Sequence, residues 1–477
     1  MSEAAVGADG KSTGPGGESY EVVVVGAGPA GENAAGRLAD GGLSVAIVER
    51  ELVGGECSYW GCIPSKVLIR PGDVLAAARR VPGALQAVTG VVDVSRALAR
   101  RDEATSSWDD HGQLPWLEEH HVKLVRGTAR LAGPGVVEVT GTDGAVHRIT
   151  ATVAVVLATG TSAVIPPIPG LAGSAPWDNR GVTAAASVPG RLLVLGGGAI
   201  GAEMAQAFRR LGSEVTVVEG AERLLVREEP FAGAQVRSAF EDEGIEVVTG
   251  VAMTAVTRDG SGSVRATLAD GRELVSDEIL VAVGRRPATG DLGLDSVGLP
   301  PGKHVEVDDR LRAVGVDGGW LYAVGDCNGR ALLTHVAKYQ ARIAADVILG
   351  KEVRDEVSRD MVPRVTFTDP QVCAVGLTKA QADERGMATR VVDVDTGSVA
   401  GAYTEGDGIA GTCRLVVDPD RRVVVGATFT GPGVADLLHS ATVAIAGQVT
   451  LDRLWHAVPS FPTVSEVWLR LLEEYGL

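Results

Sequence analysis

A glycine-rich turn that occurs twice constrains this chain more than any other feature. In EVVVVGAGPAGENAAGRLA, Gly26, Gly28 and Gly31 form GxGxxG between an apolar strand and a helix. In such a turn the first glycine permits the tight bend. The second lets a pyrophosphate approach the backbone, and the third lets the helix pack on the strand. RLLVLGGGAIGAEMAQAFRRLGSEVTVVE repeats the pattern with Gly196, Gly198 and Gly201. Each copy runs into a second apolar strand that ends in a carboxylate, Glu49 or Glu219, placed to accept hydrogen bonds from a ribose diol. The interval from first glycine to carboxylate is 49 − 26 = 23 in one copy and 219 − 196 = 23 in the other. Two unrelated glycine turns with solvated glutamates would not explain that match, so two dinucleotide-binding units are expected. Glu219 would repel a 2′-phosphate, which favours NADH over NADPH at the second site, although Arg223 lies close by. Ala199 leaves no bulky aromatic directly after Gly198 to cover a nicotinamide site.

The remaining organisation follows from this repeat. A chain of 477 residues is too long for one core. After about Pro287 it returns to the first unit, since LYAVGDCNG reads as strand then loop. From near Val362, RVTFTD, CRLVVD and RVVVGATF read as strands, followed by a helical pattern over Val434 to Gly447. The expected fold class is α/β, with two Rossmann-like dinucleotide-binding domains and a C-terminal α+β domain. The boundaries are a disordered, Gly-rich tail over 1–18, a first domain over 19–160 and 287–355, a second over 161–286, and a last over 360–477. The formal charge of −17, with no basic run, argues against a nucleic-acid partner. No stretch approaches the roughly 18 apolar residues of a membrane span, and the N-terminal segment lacks the pattern of a signal peptide. A cytoplasmic location is expected.

Five cysteines are too few for a structural disulfide framework. Two of them, Cys57 and Cys62, lie in GGECSYWGCIPSK at the entry to a helix, with Pro64 suited to its first turn. A helix N-terminus and a nearby cation would lower a thiol pKa, and Lys66 could be that cation. Two buried cysteines, or half of a zinc site, are the alternatives. No second cysteine pair or suitably spaced histidine supports zinc, so no metal is expected.

GGxCxxxxGCIPSK after GxGPAG resembles the class I pyridine nucleotide-disulfide oxidoreductases, which include dihydrolipoamide dehydrogenase and the glutathione and mercuric reductases. VLATGT (156–161), VAVGRRP (281–287), LYAVGDC and VPRVTFTDPQVCAVGLT (362–378) extend the resemblance over about residues 20 to 470. It implies FAD in the first unit, held by Gly26, Gly28, Gly31, Glu49, Arg50, Gly55, Lys66, Ala129, Thr159, Gly160, Gly325, Asp326 and Thr334, with Asp326 on the ribityl chain. It implies NAD(P)H in the second, held by Gly196, Gly198, Ala199, Ile200, Gly201, Glu219 and Gly284. Cys62 would face the flavin and Cys57 attack a disulfide or other small-molecule substrate. Lys66 and Glu203 would form the ion pair beside the flavin. Electrons would pass from nicotinamide to flavin to the cysteine pair to substrate. The last domain would be a dimerisation domain, and the protein a homodimer. Cys327, Cys373 and Cys413 match no redox motif and read as packing cysteines.

One departure stands out. The family ends in HPTxSE, whose histidine serves the attacking thiol across the dimer and is oriented by the glutamate. Here the segment is FPTVSE: Phe461 replaces the histidine while Glu466 remains. Phenylalanine carries no proton. His456, five residues earlier, is either a displaced base or a structural histidine packed beside Trp455; mercuric reductases carry a tyrosine at the position of Phe461 and a terminal cysteine pair, whereas this chain ends RLLEEYGL. Efficient reduction of lipoamide or glutathione disulfide is therefore not expected. The alternatives are a diaphorase that reduces quinones or metal ions, and a redox-sensing or complex-binding flavoprotein.

Overall fold

A computed structural model describes residues 18–357 and 360–477. The tail expected over 1–18 lies, apart from Glu18, outside the described residues. Two compact units make up the chain: Met1–Ile63, Thr105–Ser162 and Arg285–Arg359 in one, Pro64–Ala104, Ala163–Gly284 and Asp360–Leu477 in the other.

The first unit is built on a seven-stranded sheet. Glu18–Val25 lies between Val45–Glu49 and Val146–Leu157, parallel to both. The apolar runs VVVV, VAIV and AVVL are buried along their length, as strands covered on both faces must be. Val146–Leu157 changes partners along its length. Its first half pairs with Val136–Thr140, and its last residues with Leu321–Ala323, which brings the late chain segment back into this sheet. Helices Pro29–Asp40 and Thr334–Ile348 are joined by Arg37, whose guanidinium grips Asp346 with two hydrogen bonds of 2.8 and 2.7 Å.

In the second unit a four-stranded parallel sheet runs Glu246–Thr249, Glu214–Glu219, Arg191–Leu195, Glu278–Val281. A three-stranded antiparallel meander from Met253 to Ser276 accompanies it. The C-terminal segment forms a five-stranded antiparallel sheet in the order Arg364–Thr366, Gln371–Gly376, Val423–Gly431, Thr412–Asp418, Arg390–Asp395. Helices Val434–Ala446 and Val467–Tyr475 share its core. Phe429 is fully buried there, opposite both Cys373 and Cys413 and edge-on to Trp468 at 5.9 Å. The fold is thus the α/β arrangement expected, with an α+β C-terminal part. Among the described residues no helix is long and apolar enough to cross a membrane.

Candidate active site

The two glycine turns adopt the same geometry. Gly26 and Gly196 have φ of +101° and +111°, in the left-handed region that favours glycine. A Cβ on Gly31 would lie 1.8 Å from the Gly26 carbonyl oxygen, and one on Gly201 1.9 Å from that of Gly196. These four glycines are therefore demanded by the protein itself. Gly28 and Gly198 are not: both have extended backbone, and an added Cβ would meet only the Gly55 Cα at 4.0 Å in one case and nothing within 4 Å in the other. Each caps a 12-residue helix whose N-terminus has no side-chain cap. A glycine that faces open space before free helical N–H groups fits the close approach of a pyrophosphate. Glu49 closes the first turn by accepting the Ala27 N–H at 2.8 Å, and Glu219 closes the second by accepting that of Gly197 at 2.6 Å. The carboxylates keep lone pairs for a ribose. The residues present therefore fit a dinucleotide in each unit.

The first unit contains every residue expected to hold FAD except Lys66. Arg50 is exposed just beyond Glu49, and Ala129 is half-buried on the strand Thr128–Leu131. Thr159 and Gly160 (φ +70°) follow the strand that ends at Leu157. Gly325 donates its N–H to Gln340 at 2.8 Å. Asp326 accepts a 2.7 Å hydrogen bond from the Thr161 hydroxyl, which in turn accepts from Arg285 at 2.7 Å. Arg285 also lies 3.6 Å from Glu56, directly before Cys57. Burial pushes the Asp326 carboxyl up, and Thr161 and Arg285 oppose that shift.

The cysteine loop is fastened to the first glycine turn. Gly54 donates its N–H to the Ala27 carbonyl at 2.8 Å, and a Cβ on Gly55 would come within 2.8 Å of the Gly28 Cα. Asp110 accepts the Val53 N–H at 2.7 Å, and the Trp108 indole donates to the Tyr59 carbonyl at 3.2 Å. Cys57 belongs to a short helix of its own, Gly55–Tyr59, and Cys62 begins the long helix Cys62–Arg80. The single helix entry expected for both is therefore divided by the break at Trp60–Gly61. Both are free thiols. The Cys62 sulfur lies 3.2 Å from the Thr334 hydroxyl at the start of helix Thr334–Ile348. Thr334, expected as a flavin contact, thus also touches the redox sulfur.

The expectation of a lowered thiol pKa does not hold for Cys57. Its hydrogen bond with Cys62, then burial, push it far up, against a smaller downward pull from Thr334 and Lys338. The cation acting on this thiol is Lys338, which the sequence reading missed because it lies 281 positions away (338 − 57) with no motif around it. The three other cysteines are buried, and burial pushes Cys327 and Cys413 up to about 12 and Cys373 up as well, consistent with packing roles.

The second unit holds all the residues expected at NAD(P)H, together with Lys66, Glu203 and Glu466. Ala199 and Ile200 open the glycine helix, with Ile200 38 % exposed, and Gly284 (φ +143°) accepts the Val164 N–H at 3.0 Å. The Lys66 ammonium donates to Glu203 at 2.7 Å, so the expected ion pair forms. The Arg223 guanidinium is spent on the carbonyls of Leu225, Val226 and Glu228, each at 2.9 Å. At the C-terminus Phe461 is exposed, as is His456. Glu466 is buried: one carboxylate oxygen accepts from Arg470 at 2.7 Å, and the other, also buried, has no hydrogen-bond partner among the described residues.

Two dinucleotide cradles and a cysteine pair packed on the first of them define a flavin- and nicotinamide-type oxidoreductase. Residues 20–341 match the family described as pyridine nucleotide-disulphide oxidoreductase, and residues 362–471 its dimerisation domain. The chain belongs to this family, in its class I branch of NAD(P)H-dependent flavoprotein disulfide oxidoreductases. It is 31 % identical over 452 residues to a mercuric reductase of Staphylococcus aureus, covering 94 % of this chain and 81 % of that one. It is 34 % identical over 458 residues to a dihydrolipoyl dehydrogenase of Thermus scotoductus, covering 94 % and 96 %. Among solved structures, the Cu(II) complex of the HOCl-induced flavoprotein disulfide reductase RclA from Escherichia coli superposes with a TM-score of 0.84. That match has 26 % identity and covers 95 % of this chain and 99 % of that one. LpdA from Mycobacterium tuberculosis gives a TM-score of 0.84 at 26 % identity, over 96 % and 99 %.

Proposed function

We propose that the protein uses NADH to reduce a small disulfide through FAD and the Cys57–Cys62 pair, giving two thiols and NAD⁺ with uptake of one proton. The observation that carries this reading is the fastening of the cysteine loop to the first glycine turn, Gly55 against Gly28. FAD, when bound, supplies the two-electron link between nicotinamide and the cysteine pair. The chain's own residues do the rest. Gly28 and Gly198 admit the pyrophosphates, Glu49 and Glu219 orient the riboses, and Asp326 holds the ribityl chain. Thr334 steadies the Cys62 sulfur, and Cys57 attacks the substrate disulfide. Position 461 offers neither a base for the attacking thiol nor an acid for the departing one. The acceptor is therefore a disulfide whose leaving thiol is acidic enough to depart without a protein-borne acid, not lipoamide or glutathione disulfide. Arg223's engagement with its own loop supports NADH as donor. The exposed Tyr403, Val458 and Phe461 in the C-terminal domain support a homodimer, and a cytoplasmic setting suits the free thiols.

A second reading, electron delivery to quinones or metal ions without Cys57, is favoured by Phe461 and by the similarity to a reductase solved with Cu(II). NADH oxidation with aryl disulfides, quinones and Cu(II) as acceptors, in wild type and Cys57→Ser, separates the two. Loss of disulfide turnover with quinone and metal turnover retained supports the first reading, provided the wild-type disulfide rate is the larger. Equal rates in both proteins with every acceptor would establish the second.

A further inference from the structure

The Lys66–Glu203 pair is held by a third residue. Glu203 gives one carboxylate oxygen to the Lys66 ammonium at 2.7 Å and the other to the backbone N–H of Phe367 at 3.0 Å. The Phe367 ring lies beneath the same ammonium, 4.7 Å from nitrogen to centroid. Phe367 therefore touches both members of the pair, the anion through its main chain and the cation through its ring face.

Its own position is fixed with equal care. Phe367 stands in the loop between strands Arg364–Thr366 and Gln371–Gly376 of the C-terminal sheet. Two residues on, the Asp369 backbone is gripped at both ends by Gln206, which accepts from its N–H at 2.7 Å and donates to its carbonyl at 3.0 Å. The Asp369 carboxylate binds Arg210 at 2.8 Å and also Arg80. Glu203, Gln206 and Arg210 follow one another at i, i+3 and i+7, so one face of helix Ala199–Arg210 is given over to residues 367–369. A buried carboxylate needs partners, and any residue's N–H would serve that need. A cation seated over a ring needs an aromatic face, which an aliphatic residue of the same volume cannot supply.

We propose that Phe367 is a positioning residue for the flavin-side ion pair. It fixes the direction in which Lys66 presents its charge, and with it the charge that a flavin beside Lys66 would feel. This rests on the reading of Lys66 and Glu203 as neighbours of the flavin.

The test is the midpoint potential of the FAD-loaded protein, measured by dye equilibration for wild type, Phe367→Leu, Phe367→Tyr, Lys66→Met and the Phe367→Leu/Lys66→Met double variant. A fixed cation favours the more negative, reduced flavin. Phe367→Leu should therefore lower the reduction equilibrium about three- to tenfold, roughly 14–30 mV at 29.6 mV per tenfold for a two-electron couple. Phe367→Tyr, which keeps the ring, should match wild type. Lys66→Met should shift the potential at least as far, and adding Phe367→Leu to it should change nothing more. Flavin content and dimer mass establish that each variant is assembled; where Phe367→Leu does not fold, Phe367→Met takes its place. An unchanged potential in Lys66→Met would overturn the underlying reading of the ion pair. A shift in Lys66→Met with none in Phe367→Leu, a shift in Phe367→Tyr equal to that in Phe367→Leu, or additivity in the double variant would overturn the role of Phe367 alone.

Discussion

The two glycine cradles have nearly the same backbone and different surroundings. Their capping glycines have φ of −76° and −74° and the same ψ of −177°. One register relates them, with each position in the first matched 170 residues later (196 − 26). The side chains that follow diverge. Glu32 in the first helix corresponds to the fully buried Ala202 in the second, Asn33 to Glu203, and the buried Ala30 to the exposed Ile200. Beyond Glu49 the chain enters the cysteine loop, whereas beyond Glu219 it folds back on Arg223. The two cradles thus share a backbone shape and differ in the side chains one turn further along.

The largest effect expected from that comparison comes from filling the open glycine faces. Gly28→Val should abolish flavin binding, leaving a colourless protein. Gly198→Val should leave the protein yellow and lower the rate of flavin reduction by NADH by about 10³-fold or more. Absorbance after reconstitution with FAD and anaerobic stopped-flow mixing report the two outcomes. A Gly28→Val protein that retains one flavin per chain would refute the close approach of pyrophosphate at that residue.

Restoring the lost base should give the next largest change. Phe461→His should raise turnover of lipoamide or glutathione disulfide by about 10²–10⁴-fold, the usual worth of a general acid–base group. The unpartnered oxygen of Glu466 is available to orient the new ring, so the gain should be much smaller in Phe461→His/Glu466→Gln. Fast lipoamide turnover by the unmodified enzyme would show that His456 or another group has taken over the role.

Glu32 supplies a smaller effect. Burial, ahead of a nearby Lys338 that opposes it and Glu49 that adds to it, pushes its carboxyl up to about 7. A carboxyl with a raised folded-state pKa costs stability once it must ionise: full stability is present below the unfolded pKa near 4.3 and is lost as pH rises to about 7. Glu32→Gln should therefore stabilise the protein by on the order of 1–3 kcal/mol at pH 8 and by little at pH 4.5. Denaturant midpoints at both pH values check this, and an equal gain at both would show that ionisation is not the cause. No such term exists in the second cradle, where Ala202 stands.

Smallest of all should be the effect of Arg223→Ala on donor choice. Its guanidinium is already committed to three carbonyls, so the kcat/KM ratio of NADH to NADPH should move less than about threefold. Glu219→Gln should move it more, toward NADPH.

The cradles were legible in the sequence because steric necessity writes them: a Cβ at four of the six glycines would strike a backbone oxygen or its carbon. The cysteine pair was legible because it follows the first cradle at once. The links between side chains were not. Thr334 reaches Cys62 across 272 positions, Phe367 reaches Glu203 across 164, and Arg285 reaches Thr161 across 124. Such pairs leave no periodicity and no local motif. Lys66 shows the limit: four residues from Cys62 it reads as a thiol's cation, and nothing in its own stretch of sequence announces that its ammonium binds Glu203 and lies over the Phe367 ring.

The contact between Gly55 and Gly28 has a consequence for anyone who would alter this enzyme. A Cβ added at Gly55 would come within 2.8 Å of the Gly28 Cα, so the first glycine turn and the cysteine loop are a single mechanical part. A substitution on either side displaces both, so affinity for the cofactor and poise of the thiols cannot be selected independently at this seam. Libraries aimed at new acceptors should leave residues 26–31 and 53–57 untouched and vary position 461, whose side chain is exposed.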